Sequence, residues 1–172
     1  MKITKAVITL AGKGQKNLPL QTLIDRDGIE KSVLQILIEE TIAGGIEEVA
    51  LVIQPGDHEI YSNILGDYLG RIKFIEQPEA LGYGQAIYCA KDFVGDEMFL
   101  HLVGDHLFVS RGDYSISKKL IEIAELKGCG ISAVQPTREN LLPYFGAVGG
   151  TRIPGSKDLY KVERVIEKPT PT

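Results

Sequence analysis

The sequence predicts an α/β fold, a mostly parallel sheet with helices packed on both faces. Two observations carry that expectation. Short apolar runs rich in β-branched residues recur along the chain, and most are followed by segments whose apolar residues repeat at helical spacing. After Gln135 the alternation stops, and two extended segments follow without a helix between them, which predicts a mixed sheet edge. The 172 residues read as one domain, residues 1–172, long enough to bury a core.

The first run, residues 6–10, suits a strand buried on both faces and passes straight into Ala11-Gly12-Lys13-Gly14. Two glycines one residue apart let the backbone turn sharply and approach a ligand with no Cβ in the way. Backbone N–H groups freed there can cradle phosphate, with Lys13 and Lys16 adding positive charge. A plain tight turn is the other reading, because the loop lacks the ending of a Walker loop and the third glycine of a dinucleotide fingerprint. Residues 16–30 show no periodicity and read as a long loop, with Asp25-Arg26-Asp27-Gly28 as a turn inside it. Ser32 and Gln35 have the spacing of a capping box, opening a helix through Ala43. Its Leu34, Leu37, Ile38, Thr41 and Ile42 share one stripe, and Gly44-Gly45 stops it.

Residues 49–53 predict the second buried strand. Asp57 can cap the next helix, whose Ile60, Tyr61, Ile64, Leu65, Tyr68 and Leu69 recur at helical spacing before Gly70. Residues 72–75 form a third, shorter strand broken by Gln77-Pro78, and Gly82-Tyr83-Gly84 leads into a helix with Ala86, Ile87 and Ala90. Residues 98–103 make a fourth strand closing at Gly104-Asp105. A helix over 117–127, with Leu120, Ile121, Ala124 and Leu126, ends at Gly128, and residues 131–134 follow as a fifth strand. Residues 144–149 and 160–166 are the two final extended segments.

The net charge of −4 argues against a nucleic-acid partner, which needs a basic face to meet phosphates. No apolar run approaches the roughly 18 residues of a membrane span, and the N-terminus has no signal-peptide pattern. Cys89 and Cys129 have no partner motif and read as two buried thiols, which fits a reducing cytoplasm.

In a parallel sheet of this kind ligands bind beyond the carboxyl ends of the strands. The glycine loop, Gln77, Gly82 to Gly84 and Asp105 all fall there. Asp105 follows an apolar strand and a glycine that leaves room beside it. It is placed to hold a hard cation such as Mg2+, which takes one or two carboxylates together with substrate phosphates. A helix cap or turn aspartate is its other reading. His101 reads as a packed, hydrogen-bonded histidine, His58 as surface, and His106 as a neighbour of the carboxylate rather than a ligand. No GxSxG, HExxH or activated cysteine pattern occurs. Phosphoryl and nucleotidyl transfers need no such nucleophile, because positioning and charge neutralisation supply most of the rate.

Five segments then stand in a recognisable order: KAVITLAGKGQKNLP, IAGGIEEVALVI, EQPEALGYGQAIYCAKDFVGDE, LVGDHLF and VERVIEKP. In order and spacing they resemble the sugar-1-phosphate nucleotidyltransferases, and within them the bacterial glucose-1-phosphate uridylyltransferases. The resemblance covers nearly the whole chain. It implies a Rossmann-like, three-layer nucleotide-diphospho-sugar transferase fold with a mostly parallel mixed sheet. It implies that Leu10, Ala11, Gly12 and Gly14 hold a nucleoside triphosphate, and that Gln77 and Gly82 read the edge of its pyrimidine. It implies that Asp105 holds Mg2+ between the α-phosphate and the sugar phosphate, and that Lys16 and Asp105 are the catalytic pair. Tyr144, Gly146, Glu167 and Lys168 would line the sugar-phosphate side. The implied reaction is attack by a sugar 1-phosphate oxygen on the α-phosphorus of UTP, with release of pyrophosphate. UTP and a sugar 1-phosphate are the implied partners, and a homo-oligomer fits the same reading.

The chain departs from the family in three places. Lys16 stands where the family loop GxGTRxxP has Arg; Lys keeps the charge and loses the planar fork that grips two phosphate oxygens. The family's Pro-Lys motif, whose Lys contacts phosphate, has no clear match between Leu20 and Lys31, where Arg26 and Lys31 are the substitutes. Family members also continue past the Glu167-Lys168-Pro169 segment with more of the sugar pocket and a second metal-binding aspartate, so the sugar-binding part here is expected to be incomplete. These departures frame an alternative, a nucleotide or nucleotide-sugar binding or regulatory module that keeps the pocket without turnover. A glycosyltransferase of the related fold would carry a DxD motif, and Gly104-Asp105-His106 supplies one acid only.

Overall fold

The computed structural model describes residues 2–12, 17–110, 112 and 114–170. Two compact units, Met1–Ile131 and Ser132–Thr172, are distinguished by their internal contacts. The first runs β1 (Lys5–Thr9), α1 (Asn17–Leu20), β2 (Thr22–Ile24), β3 (Glu30–Ser32), α2 (Val33–Ala43), β4 (Glu48–Ile53), α3 (His58–Leu65), β5 (Ile72–Glu76), α4 (Tyr83–Cys89), α5 (Lys91–Val94), β6 (Phe99–Val103) and α6 (Ile116–Lys127). Its main sheet has the order β5-β4-β1-β6, and every pair in it is parallel. The apolar runs are continuous because both faces of β1 and β4 are covered: Ala6, Val7 and Ile8, and Val49 to Ile53, are fully buried. One face packs Ile8, Leu51 and Leu100 against Leu34, Leu37, Ile38, Tyr61, Leu65 and Ile121. The other sets Val7, Ala50 and Val52 against Ala86, Ala90, Phe93 and Val94. Each large side chain buried this way contributes roughly 1.5–3 kcal/mol. The result is the expected three-layer, Rossmann-like arrangement.

The capping box of α2 forms as its spacing predicts: Gln35 N donates to Ser32 Oγ at 3.1 Å and Ser32 N to Gln35 Oε1 at 2.8 Å. Leu34, Leu37, Ile38 and Thr41 are buried, and Ile42 packs half-buried beside them. A Cβ on Gly44 would lie 2.9 Å from the Cβ of Ser117, so the glycine that ends α2 is also what lets α6 approach it. Ser115 caps α6 and ties it to α2, accepting from Lys118 N at 3.0 Å and donating to Glu40 Oε1 at 2.8 Å. Leu126 lies on the exposed side of α6.

Several expectations are corrected. Residues 16–30 are not one loop: they hold α1 and the antiparallel hairpin β2–β3, whose partners run from Thr22 with Ser32 to Ile24 with Glu30. Strands of three residues are too short to show alternation, and Leu23 and Ile24 are exposed. The Asp25 to Gly28 turn inside it does form, with Gly28 N bonded to Asp25 O at 2.9 Å and φ +81° at the glycine. Asp57 stands at the head of α3, yet its φ of −89° and ψ of −1° are helical rather than extended, and its side chain makes no cap bond. That helix ends at Leu65, where Gly66 turns to φ +46°, and continues as a 3-10 turn over Gly66–Arg71 that leaves Leu69 exposed. Residues 131–134 are irregular rather than a fifth strand; 132–134 are exposed and pair with no strand among the described residues. Cys89 is half-buried and Cys129 exposed, so both thiols are free as expected but neither is fully buried. Among the described residues no helix is long and apolar enough to cross a membrane.

The second unit holds a 3-10 turn, Glu139–Tyr144, followed by β7 (Gly146–Arg152) and β8 (Tyr160–Glu167). The two strands pair antiparallel with a bulge between Gly149 and Gly150. A Cβ on Gly150 would sit 1.9 Å from Lys161 O, so the bulge requires the glycine. The expected mixed sheet edge is instead a separate two-stranded sheet.

Candidate functional site

The chain leaves β1 under close control. Leu10 N donates to Val52 O at 2.8 Å, extending the parallel ladder past the strand, and the Leu10 side chain is buried in the core. Ala11 is buried, and its carbonyl accepts from Gln54 Nε2 at 3.1 Å. Gly12 is half-buried immediately beyond. Lys13, Gly14 and Lys16 lie outside the described residues.

On the other side of β1, Gly104 N donates to Thr9 O at 3.0 Å. A Cβ on Gly104 would lie 1.8 Å from Leu10 Cδ2, so only glycine lets the end of β6 close against the end of β1. Asp105 follows directly, half-buried, in a turn closed by His106 N to Val103 O at 3.3 Å. From β1 the chain goes to β4 and β5 on one side and to β6 on the other, so the β1–β6 boundary is the topological switch point where such sheets take their ligands. Gly12 and Asp105 follow the carboxyl ends of the two strands that flank it.

Among the described residues no group of three His, Cys, Asp or Glu side chains gathers into a metal cage. Asp105 fits Mg2+ in the mode where one protein carboxylate is joined by phosphate oxygens of a ligand. His106, exposed, adds no cluster to it.

At the far edge of the sheet Gln77 N donates to Ile53 O at 2.9 Å, anchoring the chain as it leaves β5. Gln77 is only 5% exposed. Its amide Nε2 donates to Gly82 O at 3.2 Å and to Gln85 Oε1. Gly82 has φ +101°, a conformation that favours glycine, and its carbonyl also accepts the Ala86 N–H at 3.1 Å in the first turn of α4. Gln77 and Gly82 are therefore brought into direct contact. Beside them His101 links β1 to α4: its Nε2 lies 3.5 Å from Thr9 Oγ1 and its Nδ1 3.0 Å from Tyr83 OH. Burial pushes the His101 imidazole below its ordinary range and the Tyr83 phenol above its own, so both are neutral at pH 7. His101 is thus the packed, hydrogen-bonded residue its place in the strand predicts, and His58 is exposed at the start of α3.

In the second unit Gly146 pairs with Glu167, and a Cβ on Gly146 would meet Glu167 Oε2 at 3.1 Å. Lys168 N donates to Phe145 O at 3.0 Å, with φ +47° at Lys168, a region few non-glycine residues occupy. Lys168 Nζ lies 4.0 Å from Glu167 Oε1. Tyr144, at the end of the 3-10 turn, is exposed. Tyr144, Gly146, Glu167 and Lys168 thus gather at one end of the hairpin.

The two cations considered as phosphate ligands are engaged elsewhere. Lys31 Nζ meets Asp25 Oδ2 at 3.0 Å, Asp27 Oδ2 at 2.5 Å and Glu39 Oε2 at 2.7 Å. Hydrogen bonds donated to those carboxylates, Asp27 first, hold its ammonium far above the ordinary lysine range. Arg26 donates to Ser110 O at 3.2 Å and Gly112 O at 3.3 Å. Sequence reasoning missed Gln54 and Gln85, the two amides that hold Ala11 and Gln77. The only signal for them is a glutamine one residue past β4 and another three residues after Gly82.

A parallel sheet covered by helices on both faces, with Gly12, the buried Gln77 and Asp105 just past the carboxyl ends of its strands, defines a three-layer α/β protein. The chain matches the Nucleotidyl transferase family over residues 5–172 and belongs to that family. It is 28% identical to the UTP–glucose-1-phosphate uridylyltransferase YngB of Bacillus subtilis, covering 99% of this chain and 65% of that one. It is 29% identical to UTP–glucose-1-phosphate uridylyltransferase 2 of Staphylococcus saprophyticus, covering 98% of this chain and 66% of that one. The chain thus spans just under two thirds of the length of these relatives. Its fold superposes on an apo UDP-glucose pyrophosphorylase with a TM-score of 0.83 at 20% identity, covering 98% of this chain and 70% of that one. A UTP-bound enzyme of the same name from Acinetobacter baumannii gives 0.77 at 20% identity, with 98% and 68% covered.

Proposed function

We propose that residues 1–172 act as one nucleotidyltransferase domain that transfers uridylyl from UTP to a sugar 1-phosphate, glucose 1-phosphate being the first candidate, and releases pyrophosphate. The observation that carries this reading is the pairing at the switch point: Gly104, the residue before Asp105, closes against Thr9 and Leu10 of the segment that leads into Gly12. A triphosphate on the glycine turn would have its α-phosphate beside that carboxylate.

In the transfer, an oxygen of the sugar 1-phosphate forms a bond to the α-phosphorus as the bond from that phosphorus to the β-phosphate oxygen breaks. Both electrons leave with pyrophosphate, so no covalent enzyme intermediate is needed. Mg2+ held by Asp105 would neutralise the charge that builds on the transferring phosphoryl group. Leu10, Ala11, Gly12 and Gly14 would supply backbone to the phosphates and Lys16 a second positive charge, Gln77 and Gly82 would meet the base, and Tyr144, Gly146, Glu167 and Lys168 the sugar phosphate. A cytoplasmic site, where nucleoside triphosphates are made and used, and assembly as a homo-oligomer belong to the same reading.

A second reading, a binding module without turnover, is favoured by one observation: Lys31 and Arg26, the substitutes for the family's phosphate-contacting lysine, are both engaged inside the fold. Calorimetric titration of UTP, TTP, ATP and GTP with and without Mg2+, followed by a pyrophosphate-release assay with glucose 1-phosphate, separates the two. Selective UTP binding with pyrophosphate release supports transfer. Binding without release supports the module, and no binding overturns both.

A further inference from the structure

The amide of Gln77 has both of its N–H bonds committed inside the protein, one to Gly82 O at 3.2 Å and one to Gln85 Oε1. Its oxygen makes no further hydrogen bond among the described residues. The orientation follows from chemistry, because a backbone carbonyl only accepts and so must face the NH2 end of the amide. Gln85 is oriented in turn: its Nε2 donates to Cys89 Sγ at 3.3 Å one helical turn on, which leaves its oxygen for Gln77. Cys89, Gln85 and Gln77 form a directed chain along α4 that ends on an acceptor.

We infer that Gln85 is a positioning residue for base selection, holding Gln77 with its amide oxygen as the group offered to the nucleotide. The inference rests on the reading that Gln77 faces the base. A free glutamine amide turns over and serves a donor or an acceptor equally. A held one serves only a donor. Uracil and thymine present N3–H, a donor, at the edge where cytosine presents an unprotonated N3, an acceptor. The held amide therefore favours the first two and sets two acceptors face to face with the third, leaving both unpaired. The chemical class selected is a pyrimidine nucleotide protonated at N3.

The test is the ratio of UTP to CTP affinity, by calorimetry, for the wild-type chain and for Gln85→Leu and Gln85→Glu. Leu removes the acceptor that holds Gln77, whereas Glu keeps one. The expected result is a wild-type preference for UTP that falls about tenfold in Gln85→Leu, the worth of one hydrogen bond, and persists in Gln85→Glu. Using the ratio cancels any general effect of the new charge on nucleotide binding. A merely structural role would weaken both nucleotides together and leave the ratio alone. An unchanged ratio in Gln85→Leu, or an equal loss in Gln85→Glu, overturns the inference. Should Gln85→Leu unfold, Gln85→Met, closer in shape and likewise without a strong acceptor, is read the same way. A wild-type chain that binds UTP and CTP equally overturns the base-side reading itself, and the inference with it, which distinguishes the two failures.

Discussion

Gly104 lies so close to Leu10 that a single added methyl would stand 1.8 Å from Leu10 Cδ2 and 2.9 Å from its Cγ. Leu10 is itself buried among the core residues, so it can yield only by repacking against them. The contact sets how near the turn carrying Asp105 comes to the turn carrying Gly12, so one packing relationship fixes the spacing of two groups assigned to the ligand.

Gly104→Ala should therefore cost about 1–3 kcal/mol of stability, the usual range for forcing extra volume into a packed core. Urea denaturation would measure it. The same substitution should weaken UTP binding in the fraction that remains folded, because Asp105 is displaced from the switch point. Full stability in Gly104→Ala would mean that Leu10 has an alternative rotamer, and that the spacing is not fixed here.

Asp105→Ala tests the cation. It should abolish the gain in UTP affinity that Mg2+ gives to the wild-type chain, on the order of tenfold or more, while leaving the unfolding midpoint near its original value, since the residue is only half-buried beyond the strand. Titration with and without Mg2+ reads the effect directly. An undiminished Mg2+ response would remove Asp105 from the metal role.

How much of this was legible beforehand depends on the length scale of the cause. Buried parallel strands announce themselves as unbroken apolar runs, and the Ser32–Gln35 capping box is written in adjacent residues, so β1, β4 and α2 were readable within a residue or so. The hairpin β2–β3 was not, because what holds it is a lysine whose three carboxylate partners come from a turn and from α2. Residues 131–134 have the composition of a strand but no pairing partner among the described residues, and pairing is not a local property. At the site, Gln77, Gly82 and Asp105 were named because each sits at a strand end or turn. Gln54 and Gln85 were not, because an amide that acts through another residue carries no motif of its own.

Lys31 gives the fold a pH dependence with a definite sign. Hydrogen bonds from Lys31 hold the Asp25 and Asp27 carboxyls below the ordinary value of 3.8. Groups with lowered folded-state pKa values contribute their full share above the ordinary carboxylate range and lose it as pH falls through the lowered values. The lysine, raised, contributes below its ordinary 10.5 and loses its share only in strong alkali. Lys31→Met should thus lower Tm by a few degrees at pH 7, a modest effect because the cluster is partly solvated. It should also lose less stability than wild type on going from pH 5 to pH 3. Parallel pH profiles for the two proteins would show that the ion cluster does not bear on folding.

The last prediction concerns the glycine turn, where Lys16 occupies the position at which the resembled family has Arg. An ammonium is one compact charge, whereas a guanidinium presents paired N–H groups that match two phosphate oxygens at once. Lys16→Arg should therefore tighten UTP binding several-fold, with the gain falling as salt is raised because the added contact is between charges. It should leave UDP less affected than UTP if the contact reaches the terminal phosphates. Measured beside pyrophosphate release, the variant also distinguishes two origins of weak turnover. If release rises along with affinity, the lysine was limiting the transfer. If affinity rises and release does not, what limits turnover lies elsewhere, and the engaged Lys31 and Arg26 are the first place to look.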